Sequence, residues 1–152
     1  MNQRTQERLK VGDEVKLSHV PLDEVPYVWQ SQLDMIEKAM TKGQGDWATS
    51  GELLEDVYDQ RSQLWALHRD EEILGVIVTT VRANQLMTKV FIQLLAGSSM
   101  SEWDWLENQE TFLKFADYIG ADCIEASCRS GLAKFLKHKG WSQKAVIMEL
   151  KR

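Results

Sequence analysis

The stretch Gly120–Trp141, GADCIEASCRSGLAKFLKHKGW, decides how the rest of the chain is read. It opens with a glycine suited to ending a helix. Alternating residues that fit a strand follow, Ala121–Cys128, then a polar break and an amphipathic helix over Ser130–Lys139, closed by Gly140-Trp141. A strand that turns directly into a helix leaves the first N–H groups of that helix free at the strand's C-terminal end. In open α/β sheets, ligands settle there.

Working outward, the 152 residues fit one domain, with 43% hydrophobic residues to build its core. No apolar run approaches the ~20 residues of a membrane helix. The N-terminus has no apolar centre of the kind a signal peptide carries. Residues 1–12 read as a polar arm and 13–152 as a single domain. A net charge of -5 argues against nucleic acid as a direct partner. The two cysteines, Cys123 and Cys128, are predicted on opposite sides of one strand, so they cannot bridge there and a reducing compartment is expected. His19, His68 and His138 are scattered and the cysteine spacing fits no zinc pattern, so no metal site is expected.

Upstream, Asp13–His19 reads as a short first strand. Pro21-Leu22-Asp23 opens a helix whose apolar stripe is Val25, Trp29, Leu33, Ile36 and Met40, ending at Gly43-Gln44-Gly45. Thr49-Ser50-Gly51-Glu52 is a capping box for a second helix with Leu53, Leu54, Val57 and Tyr58 inward. Gln63–Arg69 and Ile73–Val81 form an antiparallel pair around the charged turn Arg69–Glu72. The run ILGVIVTTV suits a strand covered on both faces. Lys89–Ala96 is the next strand. Ser101 and Asp104 are placed to cap a helix from Glu102 to Ile119, and Gly120 suits the left-handed position after it. Trp141–Lys151 alternates and is predicted to be the last strand.

In this order, LWALHRDEEILGVIVTTV, FIQLLAG and IEASCRSGLAKFLKHKGW resemble the GNAT acyltransferase family from about Val15 to the end. The fold implied is α/β (α+β), with a central, mostly antiparallel mixed sheet flanked by helices. More narrowly, the chain is similar to small GNAT-like proteins encoded by tailed bacteriophages. Gln63-Leu64-Trp65, the segment from Gly97 to Trp103, and Arg129–Ala133 carry that likeness.

The departures from the family bear on function. Its members hold the pyrophosphate of acetyl-CoA in an Arg/Gln-x-x-Gly-x-Gly/Ala loop, whose glycines let backbone N–H groups approach the phosphates. Here that loop reads Ala96-Gly97-Ser98-Ser99-Met100-Ser101-Glu102-Trp103, with one glycine and no cation. If the chain is an enzyme, the resemblance places cofactor contacts at Gly97, Ser98, Ser99 and Ser101. The tyrosine that protonates the leaving thiolate in many members falls here on Leu136, with Phe135 beside it, and neither can donate a proton. A catalytic base is needed near the central strands. Residues Ile73–Ala96 hold no Asp, Glu or His, so Glu125 and His68 are the candidates.

Each feature also has a plainer reading. Glu125 and Ser127 fit a polar or half-buried face, and His68 a solvent-facing or structural role. Trp29, Trp65, Trp105 and Trp141 fit the core. Trp47 and Trp103, in or beside loops, are better partner contacts. Lys134, Lys137, His138 and Lys139 fit a solvated helix face, or else an acidic partner or the 3′-phosphate of coenzyme A. The favoured expectation is a phage-encoded GNAT-fold protein that has lost acyl transfer and uses no cofactor. It would serve as a structural or assembly component of the virion, contacting other virion proteins or itself, in the virion or host cytoplasm and away from membranes. The alternative is an acetyl-CoA-dependent N-acetyltransferase with an atypical pyrophosphate loop.

Overall fold

The structure is a computed structural model that describes residues 14–42, 48–97, 105–128 and 130–152. Its elements are β1 (Lys16–His19), α1 (Val25–Lys42), α2 (Ser50–Tyr58), β2 (Ser62–Arg69), β3 (Glu72–Ala83), β4 (Thr88–Ala96), α3 (Gln109–Ile119), β5 (Cys123–Ala126) and α4 (Ser130–His138). The five strands form one sheet in sequence order. Strands β1 to β4 pair antiparallel, and β4 pairs with β5 in parallel. The class is therefore the expected mixed α/β sheet, mostly antiparallel, flanked by four helices.

The sheet is the middle of three layers. One core joins Val25, Val28, Trp29, Ile36 and Met40 of α1 and Leu53 and Val57 of α2 to Leu64, Ala66, Val76, Val78, Leu94 and Ala96 of the sheet. The other joins Trp105 and Leu106, which precede α3, Phe112 of α3 and Leu136 of α4 to Leu17, Trp65, Leu67, Ile77 and Ile92. Val76, Ile77 and Val78 of β3 are 0% exposed, because a strand covered on both faces has no solvent side.

Local chemistry sets the element ends. Thr49 Oγ1 accepts a hydrogen bond from Glu52 N at 3.1 Å, capping α2, and Ser50 Oγ donates to Glu37 Oε1 at 3.0 Å, tying α2 to α1. Gly120 follows α3 at φ 75, where a side chain would be strained. Ala121 N closes the end on Ala116 O at 2.8 Å. In the β2–β3 turn, Asp70 takes φ 53, a region that aspartate tolerates.

Three expectations need correction. Trp141–Lys151 forms no strand: residues 142–152 are irregular and exposed. The helix expected from Glu102 is split, because a turn at Glu107–Asn108 separates helical residues 105–106 from α3. Asn108 N is bonded to Trp105 O and Thr111 N to Asn108 O, both at 3.0 Å. Strand β5 is four residues long rather than eight, which leaves Cys128 beyond it. The N-terminal arm, the Gly43-Gln44-Gly45 stop and the Ser101/Asp104 cap lie outside the described residues.

Candidate functional site

The parallel ladder runs from Lys89–Cys123 to Ile92–Ala126 and ends there, while β4 continues to Ala96. Beyond Ile92 the β5-facing edge of β4 has no strand beside it among the described residues. The same point on β4 carries a bulge. Val78 pairs with Leu94 and Thr79 with Ile92, so Gln93 is the extra residue. A bulge bends its strand and strengthens the local twist at this point. It also changes the facing of the side chains. Ile92 enters the α3/α4 core, and Leu94, two residues on, enters the α1/α2 core. Helix α4 starts at Ser130, shortly after β5 ends, so its free N–H groups lie at this same end of β5.

The Gln93 side-chain oxygen is buried without a hydrogen-bond partner, as is that of Gln32 on α1. Gln32 is only 9% exposed. A buried acceptor left unmatched costs ~1–3 kcal/mol, so such groups in native proteins have a reason to persist. The sequence reading passed over both. The signal for Gln93 was one polar residue within the apolar run FIQLLA.

Glu125 pairs with Phe91, one rung before the ladder ends. Its carboxylate accepts a hydrogen bond from Lys89 Nζ at 2.9 Å, with the two side chains 31% and 28% exposed. That hydrogen bond, with the attraction behind it, holds the Lys89 ammonium above its ordinary pKa. Arg82 stacks over Phe91 at 3.8 Å, so the margin around Glu125 is cationic. His68 lies on β2, two strands further from β5 than β4. Its Nε2 is 2.8 Å from Ser18 Oγ and its Nδ1 is 2.9 Å from Asp70 O. The structure therefore does not bring Glu125 and His68 together, and His68 is held in structural contacts. Gly97 sits directly after β4, half-buried, and Ser98, Ser99, Ser101, Trp47 and Trp103 lie outside the described residues.

Leu136 is buried, 5% exposed, and Phe135 packs against the same core. Cys123 and Cys128 are free thiols, and burial pushes the Cys128 thiol up. Among the described residues no cluster is suited to a metal ion, and no helix is long and apolar enough to cross a membrane.

Trp65 anchors a second polar network. Its Nε1 donates to Thr79 Oγ1 at 2.8 Å, and Thr79 in turn donates to Gln63 Oε1 at 2.8 Å. His19, Phe112 and Phe115 each meet the Trp65 ring edge-on at 5.3 Å. Trp29, Trp65 and Trp105 are core residues, as expected. Trp141 is half-buried and donates from Nε1 to Gln109 Oε1 at 3.1 Å.

No family model matches the chain, and no curated protein matches it by sequence. Solved structures do match its fold. An aminoglycoside acetyltransferase from an uncultured soil metagenomic sample, in complex with trehalose, superposes with a TM-score of 0.69 at 9% identity, over 94% of this chain and 98% of that one. Glucosamine-6-phosphate N-acetyltransferase from Arabidopsis thaliana gives 0.59 at 10% identity, over 91% and 98%. A transcriptional regulator from Bacillus halodurans gives 0.62 at 13% identity, over 90% and 100%. With its mixed five-stranded sheet and the opening between β4 and β5, the chain has a GNAT-like α/β fold.

Proposed function

We propose that the chain is a GNAT-type N-acyltransferase that draws its acyl group from a coenzyme A thioester. The opening between β4 and β5 carries this reading. An extended arm containing amides matches the open edge of residues 93–96, where backbone N–H and C=O groups have no strand neighbour among the described residues. The Gln93 side-chain oxygen, buried and without a partner, would accept from an amide N–H of such an arm once its side chain turns toward the edge. Similarity to acetyltransferases of the same fold supports the reading. When bound, the cofactor supplies an acyl group activated as a thioester.

The chain's own residues would divide the remaining work. Gln93–Gly97 hold the arm, and the N-terminus of α4 favours negative charge at the same end of the sheet. Lys134 and Lys137 are exposed on α4, where they are available to a phosphate. Glu125 is the base candidate nearest the opening, and to take a proton it must loosen its contact with Lys89. His68 is too far across the sheet to share that task.

The test is thermal unfolding with acetyl-CoA. A ligand that binds only the native chain, at a hundred times its dissociation constant, adds ~2.7 kcal/mol. A clear upward shift in Tm, reduced by Gln93→Leu, is the expected result. No shift would remove the enzyme reading.

A second reading has specific support. Leu136 is apolar and buried where a proton donor would stand, and Glu125 is engaged by Lys89. Both fit a chain that has given up acyl transfer for an assembly role, with other virion proteins or further copies of itself as partners. Co-purification with phage particles, with no response to acetyl-CoA, would favour it.

A further inference from the structure

One face of the sheet carries Glu125 together with a cation that nothing neutralises. On β3, Val76 and Val78 enter the α1/α2 core, so alternation puts Thr80 and Arg82 on that same face. Thr80 pairs with Phe91 and Arg82 with Lys89 on β4, and these pair with Glu125 and Cys123 on β5. The side chains of such rows are neighbours. Phe91 is 9% exposed, yet it belongs to neither core. Arg82 lies over it, with the guanidinium carbon 3.8 Å from the ring centre. The ladder sets Arg82 opposite Lys89, but its guanidinium stands over Phe91, two residues nearer the opening between β4 and β5. Repulsion from Lys89 and attraction to the face of the ring both favour that placement.

The acids nearby are already engaged. Glu125 is held by Lys89 at 2.9 Å, and Asp122, just before β5, accepts from Thr88 N at 2.8 Å. Arg82 is exposed and has neither a hydrogen bond nor an ion pair among the described residues. A guanidinium stacked on a ring keeps its N–H groups available in its own plane, and stacking has already fixed part of its conformation.

We propose that Arg82 binds the carboxylate of the acceptor whose amine is acylated. The substrate class is a short molecule with an amine at one end and a carboxylate at the other. This rests on the acyl-transfer reading above, in which Glu125 is the base. The planar fork of arginine suits a carboxylate through two parallel hydrogen bonds. Adjacent strands stand ~4.8 Å apart, so Phe91, beneath Arg82, and Glu125 are one strand spacing from each other. An amine at Glu125 and a carboxylate at Arg82 are then a few carbon atoms apart. Charge sets the orientation, since Glu125 attracts the ammonium and repels the carboxylate. The arriving ammonium competes with Lys89 for Glu125, and the carboxylate beside Arg82 draws Lys89 the other way. The substrate itself thus loosens the contact that keeps Glu125 from acting as a base.

A role confined to covering Phe91 predicts something different, because methionine covers the ring without a charge. The full chain, isotope-labelled and followed by NMR, is titrated with γ-aminobutyrate and with γ-aminobutyramide, which lacks the carboxylate. The acid should bind at least about tenfold more tightly than the amide, as one charge-assisted pair implies. It should also move the Arg82 Nε–H resonance. Arg82→Met should abolish the preference, and Arg82→Lys should restore part of it. Equal affinities, binding of neither compound, an unmoved Arg82 resonance, or a preference that survives Arg82→Met overturns the proposal. If Arg82→Met does not fold, the paired titration and the Arg82 resonance of the wild type decide it. Acyl transfer is tested separately, by the Tm shift with acetyl-CoA. A shift without the preference for the acid removes this site alone. The preference without a shift removes acyl transfer, and the acceptor role with it, while the carboxylate site stands. Where both hold, thiol release with γ-aminobutyrate should show the loss in Arg82→Met as a raised KM with little change in kcat.

Discussion

Strands β3 and β5 sit two places apart in one sheet, yet they differ in what covers them. Val76, Ile77 and Val78 of β3 have no exposed surface, with β2 and β4 at their edges and a helical layer on each face. All four residues of β5 are half-buried, one edge has no strand beside it among the described residues, and the chain beyond α4 buries nothing after Trp141. The first arrangement gives stability that no single side chain controls. The second leaves backbone groups and apolar surface free for something that binds. Local opening free energies follow the same gradient, from the full unfolding value in the covered strands toward zero in the tail.

The sharpest way to break the comparison is to make one change in both regions. Leu64→Ala, on β2 at 0% exposed, should cost ~2–5 kcal/mol in chemical denaturation. Leu150→Ala, at 95% exposed, should stay within ~0.5 kcal/mol in dilute solution. If the two costs were similar, the tail would be packed and the contrast wrong.

A smaller effect is expected from Thr79→Val. The substitution keeps the volume but strands the Trp65 N–H and the Gln63 oxygen. A loss of ~1–3 kcal/mol is expected, read from the same denaturation curves. A neutral result would mean that water reaches this network and the core is less closed than described.

The smallest effect is a pH dependence at His19. Desolvation where its ring meets Trp65 holds its pKa below 6.5. The folded chain therefore binds this proton less readily than the unfolded one. The stability linked to His19 is complete above pH 6.5 and is lost as pH falls through the depressed folded value. Subtracting the stability curve of His19→Gln from that of the wild type should leave a difference that is flat above pH 7 and falls below 6.5. A difference that rises on acidification would reverse the sign assigned to the burial.

Much of the covered half was legible in the chain. Alternation and the continuous run of β3 placed the hairpin, the stripe from Val25 to Met40 placed α1, and Thr49 and Gly120 marked helix ends by chemistry that acts within a few residues. What failed depended on contacts between distant residues. Trp141–Lys151 has the pattern of a strand, but pattern cannot supply a neighbour. The bulge was hidden because Gln93 keeps a normal alternation while the register around it shifts. The site was legible only in outline. The sequence names Glu125 as a candidate, but not its ion pair with Lys89, 36 positions away. His68, the other candidate, stands on β2, which the pattern alone does not place relative to β5.

The single added residue at Gln93 has a further effect on how the chain can vary. Ile92 and Leu94 serve opposite cores although that residue stands between them. Removing it would make Leu94 follow Ile92 directly, so plain alternation would keep Leu94 and Ala96 on the α1/α2 side while the bulge and its added twist were lost. A one-codon deletion at Gln93 would therefore leave both cores filled and straighten the strand, whereas the same deletion elsewhere in β4 would reverse the facing of every residue beyond it.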